Sequence, residues 1–310
     1  MNFYLIAYFY LIKCMFNNHS HPLIYEIQLE QKLRIKTWLI PIFTLVMGST
    51  LYIFLCFLMN LFEAGNYWVV LFSGLVMHAF FIVIIHDGAH KSITRTKYDR
   101  LIMNIGSGFM LLPIYAEFFH KFHLVHHANT NSEVDPLWSD TKKHLFSHYR
   151  FLYLFFSLIP FLFTIYSIFL QQKKIRKENK KVKSPTINYF NLVWATLISI
   201  FVIYFIQPNV IFLILTLFSV SIISCLRHWC EHLGYNKELE SNTFWFPLGM
   251  GIGNHDVHHK APNISWISLL LGLFRRPKTT TIFRVIYGIM FDKNFKHFIP
   301  KSSIIKNKGV

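Results

Sequence analysis

The sequence predicts an all-α integral membrane protein with four transmembrane helices arranged as two hairpins. Three observations predict it. Of 310 residues, 53% are hydrophobic and only 15% are charged, where soluble domains average about 25% charged. The apolar residues lie in continuous runs of about 20, the length that crosses a bilayer core, rather than at amphipathic spacing. Finally, the most basic segments can share one side of the membrane only if an even number of crossings separates them.

The opening run "NFYLIAYFYLI" is apolar but too short to span. No basic stretch precedes it and no small-residue cleavage site comes after it, so it reads as a membrane-surface segment and not a signal peptide. Met15 is an alternative start. Residues 38–62 form a good spanning helix, "EAGN" (Glu63–Asn66) a tight polar turn, and residues 67–85 a span back. The run 101–119 is interrupted by Asn104, Gly106, Gly108 and Pro113, and the run 151–170 by Pro160. Residues 190–206 and 210–226 form a second hairpin turning at "QPN". Seven positive charges lie between Lys173 and Lys183, and "HKSITRTKYDR" (His90–Arg100) is also basic. Positive loops stay cytoplasmic. Both segments share that side if 101–119 and 151–170 are interfacial or re-entrant. Both termini are then cytoplasmic. The chain divides into an N-terminal surface segment (1–37), a membrane domain (38–277) and a basic cytosolic tail (278–310).

The net charge of +16 fits basic loops against anionic lipid and not nucleic acid. The four cysteines, Cys14, Cys56, Cys225 and Cys230, form no CxxC, which argues against a disulfide framework or a thiolate metal site.

Seventeen histidines are unusual, and ten of them fall into four clusters: His86 and His90 in "HDGAH"; His123, His126 and His127 in "HLVHH"; His228 and His232 in "HWCEH"; His255, His258 and His259 in "HDVHH". Each cluster holds an i,i+4 pair, which on a helix shares one face. Two clusters come directly after predicted spans, and the other two belong to segments placed on the same side. Imidazole is a common neutral ligand for Zn, Cu, Fe and Ni. Structural zinc takes about four ligands. Nine or ten imidazoles exceed one such site and fit two five- or six-coordinate ions, which points to a pair of redox-active irons. Asp87, Glu231 and Asp256 lie within or beside the clusters and are candidates to fix imidazole tautomers; Asp135 is a weaker one.

The order HxxxH, HxxHH and a later HxxHH resembles the three histidine boxes of the membrane fatty acid desaturase and hydroxylase superfamily. "HHANTNSEVDP" and "HHKAPNISW" are similar to the stretches that close the second and third boxes in that family. The resemblance runs from about Trp38 to Pro277. It implies four spans beneath a cytosolic helical cap that holds a di-iron centre. The implied ligands are His86, His90, His123, His126, His127, His255, His258 and His259. "HWCEH" resembles a further element after the last span, making His232 a ninth ligand, with His228 a ligand or a neighbour of one. It also implies an O2-dependent oxidoreductase acting on a long apolar substrate, with two iron ions as cofactor. The electron donor would be a separate protein of ferredoxin or cytochrome b5 type, because no cytochrome b5 signature is appended. The basic balance would suit an acidic donor.

His120 is a candidate ligand, although HxxHH fits without it. His19, His21, His78, His144, His148 and His297 read as structural or solvated. Arg227 either meets a lipid headgroup or pairs with Glu231. Trp138, Trp229, Trp245 and Trp266 read as interfacial anchors rather than channel lining. "GMGIG" (Gly249–Gly253) is no nucleotide loop, and its glycines allow a tight turn. The expected activity is acyl desaturation in the membrane, the inner one if the source is bacterial. The alternatives are a lipid, alkane or carotenoid hydroxylase or ketolase, since "EHLG" resembles an alkane hydroxylase element, and a histidine-rich metal transporter. Transporters bind near the bilayer midplane, where only His78 falls.

Overall fold

The structure, a computed structural model, describes residues 39–132, 135–137, 145–153, 186–234, 241–274 and 277–297. Four helices are long and apolar enough to cross a membrane: α1 (Leu39–Glu63), α2 (Val69–Ala89), α5 (Tyr189–Ile206) and α6 (Val210–His232). Between them lie α3 (Tyr98–Phe109) and α4 (Tyr115–Ala128). After α6 come the short α7 (His255–Lys260), α8 (Trp266–Leu273) and α9 (Ile282–Phe291). The surface segment expected over 1–37, the basic run 173–183 and most of 151–170 lie outside the described residues.

Each turn has a local cause. Gly65, at φ 91°, closes α1 in the left-handed region that a side chain would resist. Asn188 caps α5, its side chain accepting from the Phe190 and Asn191 N–H groups at 3.1 and 3.3 Å. In "QPN", Gln207 adopts a left-handed φ of 48° and Asn209 caps α6 by accepting from Phe212 N–H at 3.0 Å. The run 101–119 is broken between α3 and α4, where Leu111 has φ 58° and Pro113 comes two residues later. That is the expected interruption, with helices on both sides.

α2 is the central post. About 72% of its apolar window is buried, against 22% for each of the other three spans. It packs on α1 and α6, while α5 packs on α3. Close approach needs small residues. A Cβ on Gly74 would strike Ser219 of α6, one on Gly106 would strike Ile84 of α2, and one on Gly108 would strike the Ala195 carbonyl of α5. Hydroxyls in these contacts pair: those of Ser73 and Thr216 lie 2.8 Å apart, and the Ser199 hydroxyl donates to the Gly108 carbonyl at 3.0 Å.

Two spans run further than their apolar runs. α2 continues past Ile85 through His86 to Ala89, and α6 continues past Leu226 to His232. Polar side chains that face a common interior do not end a helix, so the histidines ride on the spans themselves. The basic loop after His90 is folded back on Asp99, whose carboxylate accepts the N–H groups of Ile93, Thr94 and Arg95 at 3.0, 2.8 and 3.2 Å. Buried Glu117 clasps three elements. It accepts from Arg100 Nε at 3.1 Å and Nη2 at 2.5 Å, from Asn104 at 2.8 Å, and from Asn188 N–H at 2.7 Å.

The segment beyond 278, read as a tail, contains α9. Val285 and Ile289 pack with Cys225, Trp229 and Cys230 of α6. Arg150 donates to the carbonyls of Gly288, Asp292 and Phe295 at 3.0, 2.5 and 3.1 Å, which satisfies the end of α9. A two-residue antiparallel pairing, Leu233 with His297 and Gly234 with Lys296, ties that segment to the end of α6.

Candidate metal centre

All four histidine clusters lie on helices: the end of α2, the last turns of α4, the end of α6, and α7. α2 changes its winding just before the site. Phe81–His86 is a wide π turn, and three α-helical residues come after it. Such turns re-aim side chains and recur at functional sites. On α4, His123, His126 and His127 are spaced three and four apart, so two adjoining faces carry ligand atoms. A turn with Met250 at φ 49° and Gly251 at φ 85° delivers the chain to α7. A Cβ on Gly251 would strike the backbone of Leu269 and Leu270, so only glycine fits there.

The rings converge from distant parts of the chain. Nitrogens of His86, His90, His123 and His258 all lie within 4.8 Å of one another, and so do those of His126, His232, His255 and His259. All eight residues are buried. In the first group His86 Nε2 is 3.1 Å from His258 Nε2. In the second, His255 Nε2 is 3.2 Å from His232 Nε2 and 3.0 Å from His259 Nε2. His127 adjoins both: its Nε2 is 3.2 Å from His123 Nε2 and 3.0 Å from His258 Nε2, and its ring stacks on His259 at 4.3 Å.

Carboxylates and a hydroxyl stand behind these rings. Asp135 is the best placed, with both oxygens 2.9–3.0 Å from His126 Nδ1. It also accepts the N–H groups of Asn131 and Leu137 at 2.8 and 2.9 Å. Burial alone would push its carboxyl up; His126 and these donors outweigh that and hold it below the usual range. Asp87 lies 3.4 Å from His86 Nδ1 and accepts from Trp266 N–H at 2.8 Å, joining α2 to the start of α8. Glu231 lies 3.2 Å from His255 Nδ1. The Thr130 hydroxyl is 3.2 Å from His259 Nδ1.

This donor set fits metal ions. Where Nδ1 carries the proton and faces a carboxylate, Nε2 is left with a lone pair. Nε2 atoms 3.0–3.2 Å apart need either a shared ring proton or a cation among them, since two bare lone pairs at that distance repel. At a metal–imidazole bond of about 2.1 Å, neighbouring octahedral ligands sit about 3.0 Å apart and opposite ones about 4.2 Å; here the closest pairs are 3.0–3.2 Å apart and each group lies within 4.8 Å. Protonation favours the same conclusion. Burial first, then neighbouring imidazoles, holds His123, His127, His255 and His258 well below the usual histidine range, and burial with His120 and His126 holds His90 at about 3. These five rings are neutral near pH 7, as ligands must be.

The model of the family described as "Fatty acid desaturase" matches residues 64–270, about two thirds of the chain. The chain belongs to the fatty acid desaturase family. The matched stretch contains all ten clustered histidines and Asp135. No curated protein and no solved structure matches the chain.

Other expected site residues are placed differently in this desaturase-family chain. The His228 ring lies tilted beside that of His232, centroids 5.2 Å apart, and forms a smaller group with Glu231 and His232. His120 stands outside both four-histidine groups, within the influence of Arg100, Glu117 and Lys91; burial and the two cations hold it at about 4. Asp256 accepts from the Thr243 hydroxyl at 2.5 Å and lies 3.9 Å from Lys260 Nζ. Arg227 pairs with Glu231 at 2.6 Å. Trp229 and Trp266 are buried, not interfacial; Trp266 Nε1–H finds the Thr44 hydroxyl at 3.1 Å and so loses no hydrogen bond inside. Trp245 is exposed and packs on Phe274. Trp138, His19, His21 and His144 lie outside the described residues. The sequence underweighted Asp135. The signal was its place eight residues after the second box, within reach of a chain that folds back on α4.

Proposed function

We propose that this chain is an O2-dependent di-iron membrane oxidoreductase acting as a fatty acyl desaturase, which introduces a double bond into a lipid acyl chain. One observation carries the reading: two adjoining groups of buried imidazoles in a chain of this family. His86, His90, His123 and His258 would hold one iron, and His126, His232, His255 and His259 the other, with His127 at the junction. His228 lies alongside. When bound, such a pair activates O2 with two external electrons and removes hydrogen from an unactivated methylene and its neighbour.

The protein's own groups hold, orient and keep dry. Asp135 and Asp87 would retain the Nδ1 protons of His126 and His86, leaving Nε2 free to ligate, while Glu231, held by Arg227, lies 3.2 Å from His255 Nδ1. An aromatic ladder leads inward from the site. Phe119 stacks on His123 at 4.5 Å, Phe81 meets Phe119 at 4.9 Å, and Tyr115 meets Phe81 at 5.8 Å. An acyl chain passing along these faces would meet apolar surface and little water.

Electrons would come from a separate ferredoxin or cytochrome b5-type protein. The centre and both termini would face the cytoplasm, in the inner membrane if the source is bacterial. The cluster of seven cations at 173–183 supports that orientation. Heterologous expression with lipid and pigment profiling, with and without O2, tests the activity. New monounsaturated acyl chains that require O2 are expected. Oxygenated carotenoids or alcohols would assign the hydroxylase chemistry instead, and an unchanged profile would remove both.

A further inference from the structure

His78 is an ionisable residue near the middle of α2, the most buried span, and is 0% exposed. Neither ring nitrogen has a hydrogen-bond partner among the described residues. Its ring meets Phe81 at 6.3 Å and Phe246 at 5.7 Å, at the foot of the aromatic ladder. Polar groups at this depth mark functional sites more often than not. A neutral imidazole has one donor and one acceptor to satisfy, and leaving both unmet costs the desolvation of each.

The wide turn explains why His78 lies beneath the metal ligands. In a regular α-helix eight residues turn His78 about 80° away from His86. One residue absorbed by the π turn reduces the offset to about 20°, so the two share a face about 11 Å apart along the axis. Arg227 lies on α6, which packs on α2, and Tyr115 meets Phe81 in the aromatic ladder. The Nη1 of Arg227 donates to Glu231, while its buried Nε has no partner among the described residues. Burial pushes the Tyr115 hydroxyl up to about 12, against the opposing pull of Arg227, so it remains a donor.

We propose that His78, buried between Phe81 and Phe246 with both ring nitrogens unmet, forms a polar site beneath the metal centre that binds a hydroxyl-type oxygen. Such an oxygen can accept from the protonated nitrogen of His78 or donate to the bare one. It is carried either by an alcohol on the substrate chain or by an ordered water. The site makes the interior below the metals selective, since a plain hydrocarbon passing His78 leaves its nitrogens unmet.

The choice of acyl probes rests on the desaturase reading, so the test has a readout independent of it. Full-length protein in lipid nanodiscs is compared as wild type, His78→Leu and His78→Gln, for metal content, thermal midpoint and turnover of octadecanoyl and 12-hydroxyoctadecanoyl probes. If the substrate carries the oxygen, His78→Leu lowers kcat/KM for the hydroxylated probe relative to the plain one by about tenfold, and His78→Gln restores the ratio. If water carries it, His78→Leu lowers the midpoint and the turnover of both probes alike, and His78→Gln restores them. A Leu protein equal to wild type in midpoint and in both turnovers overturns the site. So does a Gln protein as impaired as the Leu protein, because then the ring itself matters and not a hydrogen-bonded oxygen. Wild-type protein that turns over neither probe removes the acyl reading and the substrate-borne oxygen with it; the water-borne oxygen then stands if the midpoint falls in the Leu protein and returns in the Gln protein, and the site is overturned if it does not.

Discussion

The Nε2 atoms of His86 and His258, 172 residues apart in the chain, lie 3.1 Å from each other. The π turn at the end of α2 and the glycine turn before α7 bring them together. Without a cation between them, two such nitrogens gain little from that approach. Replacing His258 by Ala removes a ligand from one proposed ion, and replacing His126 by Ala removes one from the other. Turnover should fall by more than about a hundredfold, while membrane insertion stays intact, as measured by membrane fractionation and lipid profiling. Wild-type activity in either variant would contradict the assignment.

Asp135 makes a different prediction from the ligands it supports. Asp135→Asn keeps the shape but weakens the anchor of the His126 Nδ1 proton. Metal affinity should fall by about 10- to 100-fold, and activity should return when metal is supplied in excess. Equilibrium titration with ferrous ion under anaerobic conditions reads the affinity. Asp256→Asn, whose carboxylate meets Thr243 and Lys260, should shift it far less.

Glu117 predicts a pH dependence. Burial would raise its carboxyl, but Arg100, Asn188 N–H and Asn104 together hold it below the ordinary glutamate value of 4.5. The folded pKa is therefore the lower one. The stability it contributes is fully present above the unfolded value and is lost as pH falls through the folded one. Glu117→Gln should cost about 2 kcal/mol at neutral pH and flatten the loss of thermal midpoint below about pH 4.5.

Much of this architecture was legible from residue type and spacing. The four spans and the helical setting of all four clusters derive from apolar run length and i,i+4 pairing. Both signals are local, so they survive without knowledge of contacts. The features that were missed depend on distant partners. Trp266 could be buried only because Thr44, 222 positions away, supplies an acceptor. The ends of α2 and α6 lay beyond their apolar runs because their histidines face one another instead of water. The π turn has no composition of its own: "FIVIIH" reads as ordinary span. His78 was read as structural because a lone histidine usually is, and only its depth and unmet nitrogens set it apart.

Gly106 tests that turn. Its backbone lies against Ile84, so Gly106→Val would displace the winding that aims His86. Activity should fall by at least about tenfold, with the protein still inserted in the membrane. Gly65→Ala, in the distant turn with no atom near its missing Cβ, should leave activity unchanged and cost only about 1 kcal/mol from its positive φ.

Metal analysis combined with Mössbauer spectroscopy on full-length protein, purified anaerobically from iron-57 medium, probes the two-centre reading most directly. Two irons per chain, in nitrogen-rich high-spin ferrous environments, are predicted. One redox-silent zinc per chain with no iron, or no bound metal at all, would contradict it.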